Sequence, residues 1–195
     1  VVKMVKDLLE PISIMDGDSL PVSAFKDIAD GQFELGASAY EKRGTAVMVP
    51  EWDPASCVQC NSCAFVCSHA TIRPFILDEN EVKVAPSQIK LADAKHAVAD
   101  GMKFTMTVSP LDCMGCGECI TVCPVGAIEM VPQESQAEEQ PVFDYLVANV
   151  GKKPGMQADN TVKGSQFNQP LLEFSGSCAG CAETSYACLL YTSPS

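Results

Sequence analysis

The sequence is poor in basic residues, in histidine and in long apolar runs, and it does not begin with methionine. Thirteen Lys and Arg stand against 25 Asp and Glu, a formal net charge of −12. Proteins that grip a phosphate backbone carry a basic excess that displaces counterions, so nucleic acid is not an expected partner. No apolar run approaches the roughly 20 residues needed to cross a bilayer, and VVKMVKDLLE places charges where a signal peptide needs its apolar centre. Neither a membrane nor secretion is expected, and the expected compartment is a reducing cytoplasm. Valine in first position sets the expectation of an interior piece of a longer reading frame. The two histidines, His69 and His96, are not at metal-ligand spacing; His96 reads as a surface or hydrogen-bonded histidine rather than a base.

What the chain has in excess is cysteine, 11 among 195 residues, in an otherwise ordinary globular composition of 47% hydrophobic and 19% charged residues. An odd thiol count in a reducing compartment favours metal ligation over a disulfide framework. Eight of the 11 fall between residues 51 and 131, and an offset of 56 carries Cys57, Cys60, Cys63 and Cys67 onto Cys113, Cys116, Cys119 and Cys123. Val66 and Ile72 move onto Val122 and Ile128 under the same offset. Two copies of one unit are present, each read as strand, cysteine loop, short helix and strand. The expected strands are Thr45 to Val49 and Phe104 to Val108 before the loops, and Ile72 to Ile76 and Ile128 to Val131 after them. Further elements expected are a helix over Val1 to Leu9 broken by Pro11 and Gly17, one over Gln88 to Asp100 with an apolar stripe of Ile89, Leu91, Ala94 and Val98, and one over Phe143 to Val150.

Three thiols at every third position can curl around one face of an iron–sulfur cubane, and the fourth, four residues on, points away toward a neighbouring cluster. This assigns Cys57, Cys60, Cys63 and Cys123 to one [4Fe-4S] cluster, and Cys113, Cys116, Cys119 and Cys67 to a second. Gly115 and Gly117 leave little bulk there, so that backbone N–H groups can approach sulfur. A zinc ribbon fits less well, because two uninterrupted four-cysteine runs overfill a four-coordinate site. Cys178 and Cys181 form a lone C-x-x-C, which on spacing alone is a zinc half-site, a redox dithiol or two ligands of a cluster completed elsewhere. Glu183, on composition alone, is a surface acid, and Glu41, Lys42 and Arg43 are a solvated charge cluster.

The segments PISIMDGDSLPVSAF and AYEKRG, then CVQCNSCAFVCSHATIRPF, SPLDCMGCGECITVCPVGAIEM and finally KGSQFNQPLLEFSGSCAGCAET follow one order from about Pro11 to Ala187. In that order the chain resembles the pyruvate:ferredoxin (flavodoxin) oxidoreductases. The resemblance identifies Glu41, Lys42 and Arg43 as the signature of an EKR domain, the middle segments as a ferredoxin-like insertion and the last as the entry to a thiamine-diphosphate domain. It implies oxidative decarboxylation of pyruvate with coenzyme A to acetyl-CoA and carbon dioxide, with electrons passed to ferredoxin or flavodoxin. It further implies thiamine diphosphate with Mg2+, a third [4Fe-4S] cluster begun by Cys178 and Cys181, a contact from Glu183 to the thiamine cofactor, and a homodimer. Ser68, Ala182 and Ser185 depart from the usual proline, glycine and proline of the pattern. Residues Cys188 to Ser195 look like translated adapter sequence, so Cys188 is expected to be no ligand.

The expected fold is α+β, a two-cluster ferredoxin-like module with a pseudo-twofold βαβ repeat, flanked by partial segments of a larger multidomain α/β enzyme. Its expected divisions are an EKR-type segment at 1–50, the ferredoxin-like domain at 51–131, a linker at 132–170, the start of the thiamine-diphosphate domain at 171–187 and the adapter remnant at 188–195. A stand-alone two-cluster carrier subunit is the alternative, against which the flanking EKR and FSGSCAGC segments argue.

Overall fold

A computed structural model describes residues 1–95, 101–153, 158–170, 173, 174, 186 and 190, and the chain divides into two compact units, Val1–Lys42 and Arg43–Ser195. The first unit is built of short helical turns. Helix α1 (Val2–Met4) widens into a π-helical turn (Val5–Leu9) and runs on as α2 (Glu10–Ser13), followed by 3-10 turns at Gly17–Ser19, Val22–Ile28 and Ala37–Tyr40. Pro11 does not break the helix as expected. It stands in the first turn of α2, where a missing N–H is tolerated, and the wide π turn ahead of it relieves the clash of its ring with the preceding carbonyls.

The second unit carries the strands β1 (Met48–Trp52), β2 (Ile72–Leu77), β3 (Ala92–Asp93), β4 (Lys103–Val108) and β5 (Ile128–Pro132). Between and after them lie helices α3 (Ser62–Val66), α4 (Glu79–Val84), α5 (Glu118–Thr121), α6 (Glu139–Asn149) and α7 (Val162–Ser165). β1 pairs antiparallel with β5 as one ribbon, while β2, β4 and β3 lie in that order in a second antiparallel sheet. Met48 faces Pro132, and the offset of 56 turns that pair into Phe104 and Ile76, which also face each other. Pro50 and Pro74 sit inside strands, which is tolerated because, among the described residues, β1 and β2 are each paired on one side only.

Alternation along the strands makes two apolar layers. Ile72 and Ile76 of β2 join Phe104, Met106 and Val108 of β4, with Trp52 and Ile128, in a core that surrounds several of the cysteines. Leu77, one residue out of phase, turns to the opposite face, where Val142 and Leu146 of α6 bury it. Helix α6 begins four residues before the expected start, because Pro141 falls within its first turn and needs no hydrogen bond there.

The expected helix over Gln88 to Asp100 does not form in its described part. Ala92 and Asp93 pair with Phe104 and Lys103 as β3, Lys103 reaches Asp93 at 2.5 Å, and the rest of that stretch, including His96 and Val98, lies outside the described residues. Ile89 and Leu91 pack with the α6 layer and Ala94 with the main core, so the apolar spacing that resembled a helical stripe serves two layers of an extended chain.

Candidate metal centres

The eight cysteines of the repeat are free thiols gathered in two groups of four. Cys57, Cys60, Cys63 and Cys123 line one cavity of about 320 Å³, counting its open mouth. Cys67, Cys113, Cys116 and Cys119 line another of about 400 Å³. In each group three thiols come from one cysteine run and the fourth from the other. The exchange follows from local backbone: Cys67 is the C-cap of α3 and turns to extended geometry (φ −75°, ψ 105°), which throws its side chain away from the loop that holds Cys57, Cys60 and Cys63.

The loops curl by left-handed residues at repeat-related positions. Gln59, Asn61 and Ala70 take positive φ in the first copy, and Gly115, Gly117 and Gly126 take it in the second. These kinks aim amides at sulfur. Gln59 N donates to Cys57 Sγ at 3.3 Å and Gly115 N to Cys113 Sγ at 3.4 Å. Thr71 N donates to Cys67 Sγ at 3.4 Å and Ala127 N to Cys123 Sγ at 3.2 Å. A hydrogen bond to sulfur favours its more negative state, so these amides raise the reduction potential of whatever the thiolates hold.

Burial pushes the Cys63 and Cys119 thiols up to about 12 and Cys113 up to about 11, with the neighbouring thiols adding to the shift. Such thiols ionise near neutral pH only against a strong positive charge, which bound iron would supply. The donor set is all soft sulfur, the choice of iron–sulfur clusters and zinc. Among the described residues no three His, Cys, Asp or Glu side chains converge on a single ion, and the thiols instead ring two cavities. Apolar walls finish each site: Trp52, Met106 and Ile128 in the first, Pro50, Ile72 and Met130 in the second. Four thiol donors around each cavity are the donor set that a [4Fe-4S] cluster needs.

Other expected residues have different places. Glu41 and Arg43 are exposed and Lys42 is half-buried; in sequence, the first unit ends at Lys42 and the second begins at Arg43. His69 is buried at the edge of the second cavity, with Nδ1 3.2 Å from Ser68 Oγ. Cys178, Cys181, Glu183 and Cys188 lie outside the described residues. Sequence reasoning overlooked Gln59, Asn61 and Arg73. For the first two a signal existed, since the offset of 56 aligns them with Gly115 and Gly117; for Arg73 there was none.

Comparison with known proteins agrees with this geometry. Residues 1–46 match the EKR family, described as a domain of unknown function, and residues 56–127 match the 4Fe-4S dicluster domain. The chain is 50% identical over 188 residues to a pyruvate-flavodoxin oxidoreductase of Enterobacter agglomerans, covering 95% of this chain and 16% of that protein. It is 47% identical over 191 residues to a pyruvate:ferredoxin oxidoreductase of Moorella thermoacetica, with 96% and 16% covered. A pyruvate dehydrogenase [NADP(+)] of Cryptosporidium parvum is 46% identical over 190 residues, with 96% and 10% covered. The chain therefore spans no more than about a sixth of the length of these curated relatives. Over nearly all of its own length it is homologous to one segment of the pyruvate-flavodoxin and pyruvate:ferredoxin oxidoreductases.

Proposed function

We propose that this chain is the electron-transfer segment of an enzyme that oxidatively decarboxylates pyruvate with coenzyme A to acetyl-CoA and carbon dioxide and reduces ferredoxin or flavodoxin. The observation that carries this reading is the pair of thiol quartets, each completed by a cysteine of the other copy. Cys57, Cys60, Cys63 and Cys123 hold the first [4Fe-4S] cluster, and Cys113, Cys116, Cys119 and Cys67 the second. When bound, such clusters take up and release single electrons. The chain's own residues fix the sulfurs, keep water from the buried thiols and set the potential through the four amide donors. The exchanged strand register supports a pseudo-twofold axis between the copies.

In the same reading, on the resemblance of the FSGSCAGCAET segment, Cys178 and Cys181 begin a third cluster, and Glu183 contacts thiamine diphosphate, which is bound with Mg2+ in a homodimeric full-length enzyme. Relatives of this same segment carry ferredoxin, flavodoxin and NADP+ in their names. That range supports the view that the final acceptor is chosen outside this chain. Similarity that extends beyond residues 56–127 on both sides weighs against a free-standing carrier. The test is chemical: the anaerobically purified chain should contain iron and sulfide for two cubanes and bleach on dithionite. Zinc with no acid-labile sulfide would overturn the reading.

A further inference from the structure

Arg73 stands apart from the repeat. The offset of 56 places exposed Glu129 at the matching position of β5, whereas Arg73, on β2, is only 6% exposed. Its Nε donates to the Ala70 carbonyl at 2.6 Å, and its Nη1 lies 2.6 Å from Glu173 Oε1. The guanidinium is held between two rings, 5.3 Å from the centroid of Phe143 on α6 and 5.4 Å from that of Phe174. The two rings themselves meet edge to face at 6.1 Å. A guanidinium suits this position because it offers planar faces to aromatic rings while Nη1 meets a carboxylate and Nε a carbonyl.

The partners come from distant parts of the chain. Glu173 and Phe174 lie about a hundred residues beyond Arg73, and Phe174 N donates to the carbonyl of His69 at 3.0 Å. His69 lines the cavity of the second quartet and follows Cys67 by two residues. Phe174 also adopts φ +49°, a left-handed conformation that strains an L-residue and persists only where surroundings enforce it. A buried ion pair is weak as a source of net stability, but removing one partner leaves the other charge uncompensated, which is heavily penalised.

We propose that Arg73 is a positioning residue that docks Glu173 and Phe174 on the wall of the second quartet and, through the hydrogen bond from Phe174 to His69, holds the turn that brings Cys67 to that quartet. The docking stands on the contacts alone; its consequence for the second cluster rests on the proposed role of Cys67 as a ligand beside Cys113, Cys116 and Cys119.

The experiment uses the full-length holoenzyme with Arg73→Met, Glu173→Gln and, as a control in the α6 layer, Val142→Ala. Hydrogen exchange at the amides of residues 173 and 174 should accelerate about tenfold or more in Arg73→Met and by a smaller factor in Glu173→Gln, which keeps the fold if the first variant loses it. Val142→Ala should leave those amides protected relative to the rest of the module. Unchanged protection in both charge variants, or equal loss in the control, overturns the docking. With iron content unchanged, the electron paramagnetic resonance signal of the second quartet's cluster should change shape in Arg73→Met while that of the first stays as in the wild type; two unchanged signals overturn the positioning role. A wild type that lacks the second cubane would refute the ligand role of Cys67 while leaving the exchange result to decide the docking.

Discussion

The two cysteine loops follow one backbone path with different residues, and the difference shows what each half is for. At three matching kinks the second copy has Gly115, Gly117 and Gly126, the residue that takes left-handed φ without penalty. The first copy has Gln59, Asn61 and Ala70 there. Gln59 and Asn61 compensate through their side chains. Gln59 Nε2 donates to the Asp93 carbonyl at 2.7 Å and its Oε1 accepts from Lys95 N at 2.7 Å, while Asn61 Nδ2 donates to the Lys163 carbonyl at 2.9 Å. Later parts of the chain are thereby fastened over the first quartet. The second loop has no such side chains to offer, and its Cys116 is exposed. The loop of the first copy is covered by its own chain, whereas that of the second leaves Cys116 exposed.

The largest effect expected from breaking this comparison is loss of a whole centre. Cys60→Ala and Cys123→Ala, although they lie in different copies, should remove the same cluster and about half the iron of the module. Electron paramagnetic resonance that finds different clusters missing would separate the copies and refute the exchange of ligands. Next is Gly115→Ala. A Cβ there would lie 2.9 Å from the Met48 carbonyl and 3.3 Å from Ala46 Cβ, with φ at +68°. Clash and strain together should cost about 2–4 kcal/mol and deplete the second cluster, whereas Gly117→Ala, facing open space at φ +77°, should cost only about 1 kcal/mol. Comparable denaturation midpoints for the two would sink the steric account.

The smallest effect is the most discriminating. Gln59→Ala keeps the left-handed strain and strands two backbone groups, for a loss of about 2–3 kcal/mol. Gln59→Gly loses the same hydrogen bonds and relieves the strain, so it should be the more stable of the two by roughly 1 kcal/mol. The reverse order in urea unfolding would mean that the kink is not strained in the first copy.

The cysteines and the repeat were readable because their spacing is a local property, and three of the four flanking strands fell where expected, whereas β1 runs from Met48 to Trp52 rather than Thr45 to Val49, because Pro50 is tolerated in a strand paired through β5 and does not end it. β3 was not, since Ala92 and Asp93 are held by β4 and by Gln59, neither of which a helical stripe can reveal. Arg73 was invisible for the same reason. In the sequence it is one charge in an apolar strand, and its meaning depends on Phe143 and Glu173, far along the chain. The start of α6 was misjudged by four residues because Pro141 reads as a stop signal yet stands in the one turn that tolerates it.

The strand pairing also sets a timetable for assembly. β1 has no partner in its own copy and meets β5, about eighty residues later, while Cys57 waits for Cys123 over a comparable stretch. Closing loops of that length before any reward makes for slow folding from non-local contacts. During synthesis the first half would leave the ribosome with an unpaired strand and three of its four ligands. Metal loading that stops there would hold an unfinished chain, so the order of events favours iron insertion after the second half has emerged, with Cys123 as the residue that closes the first site.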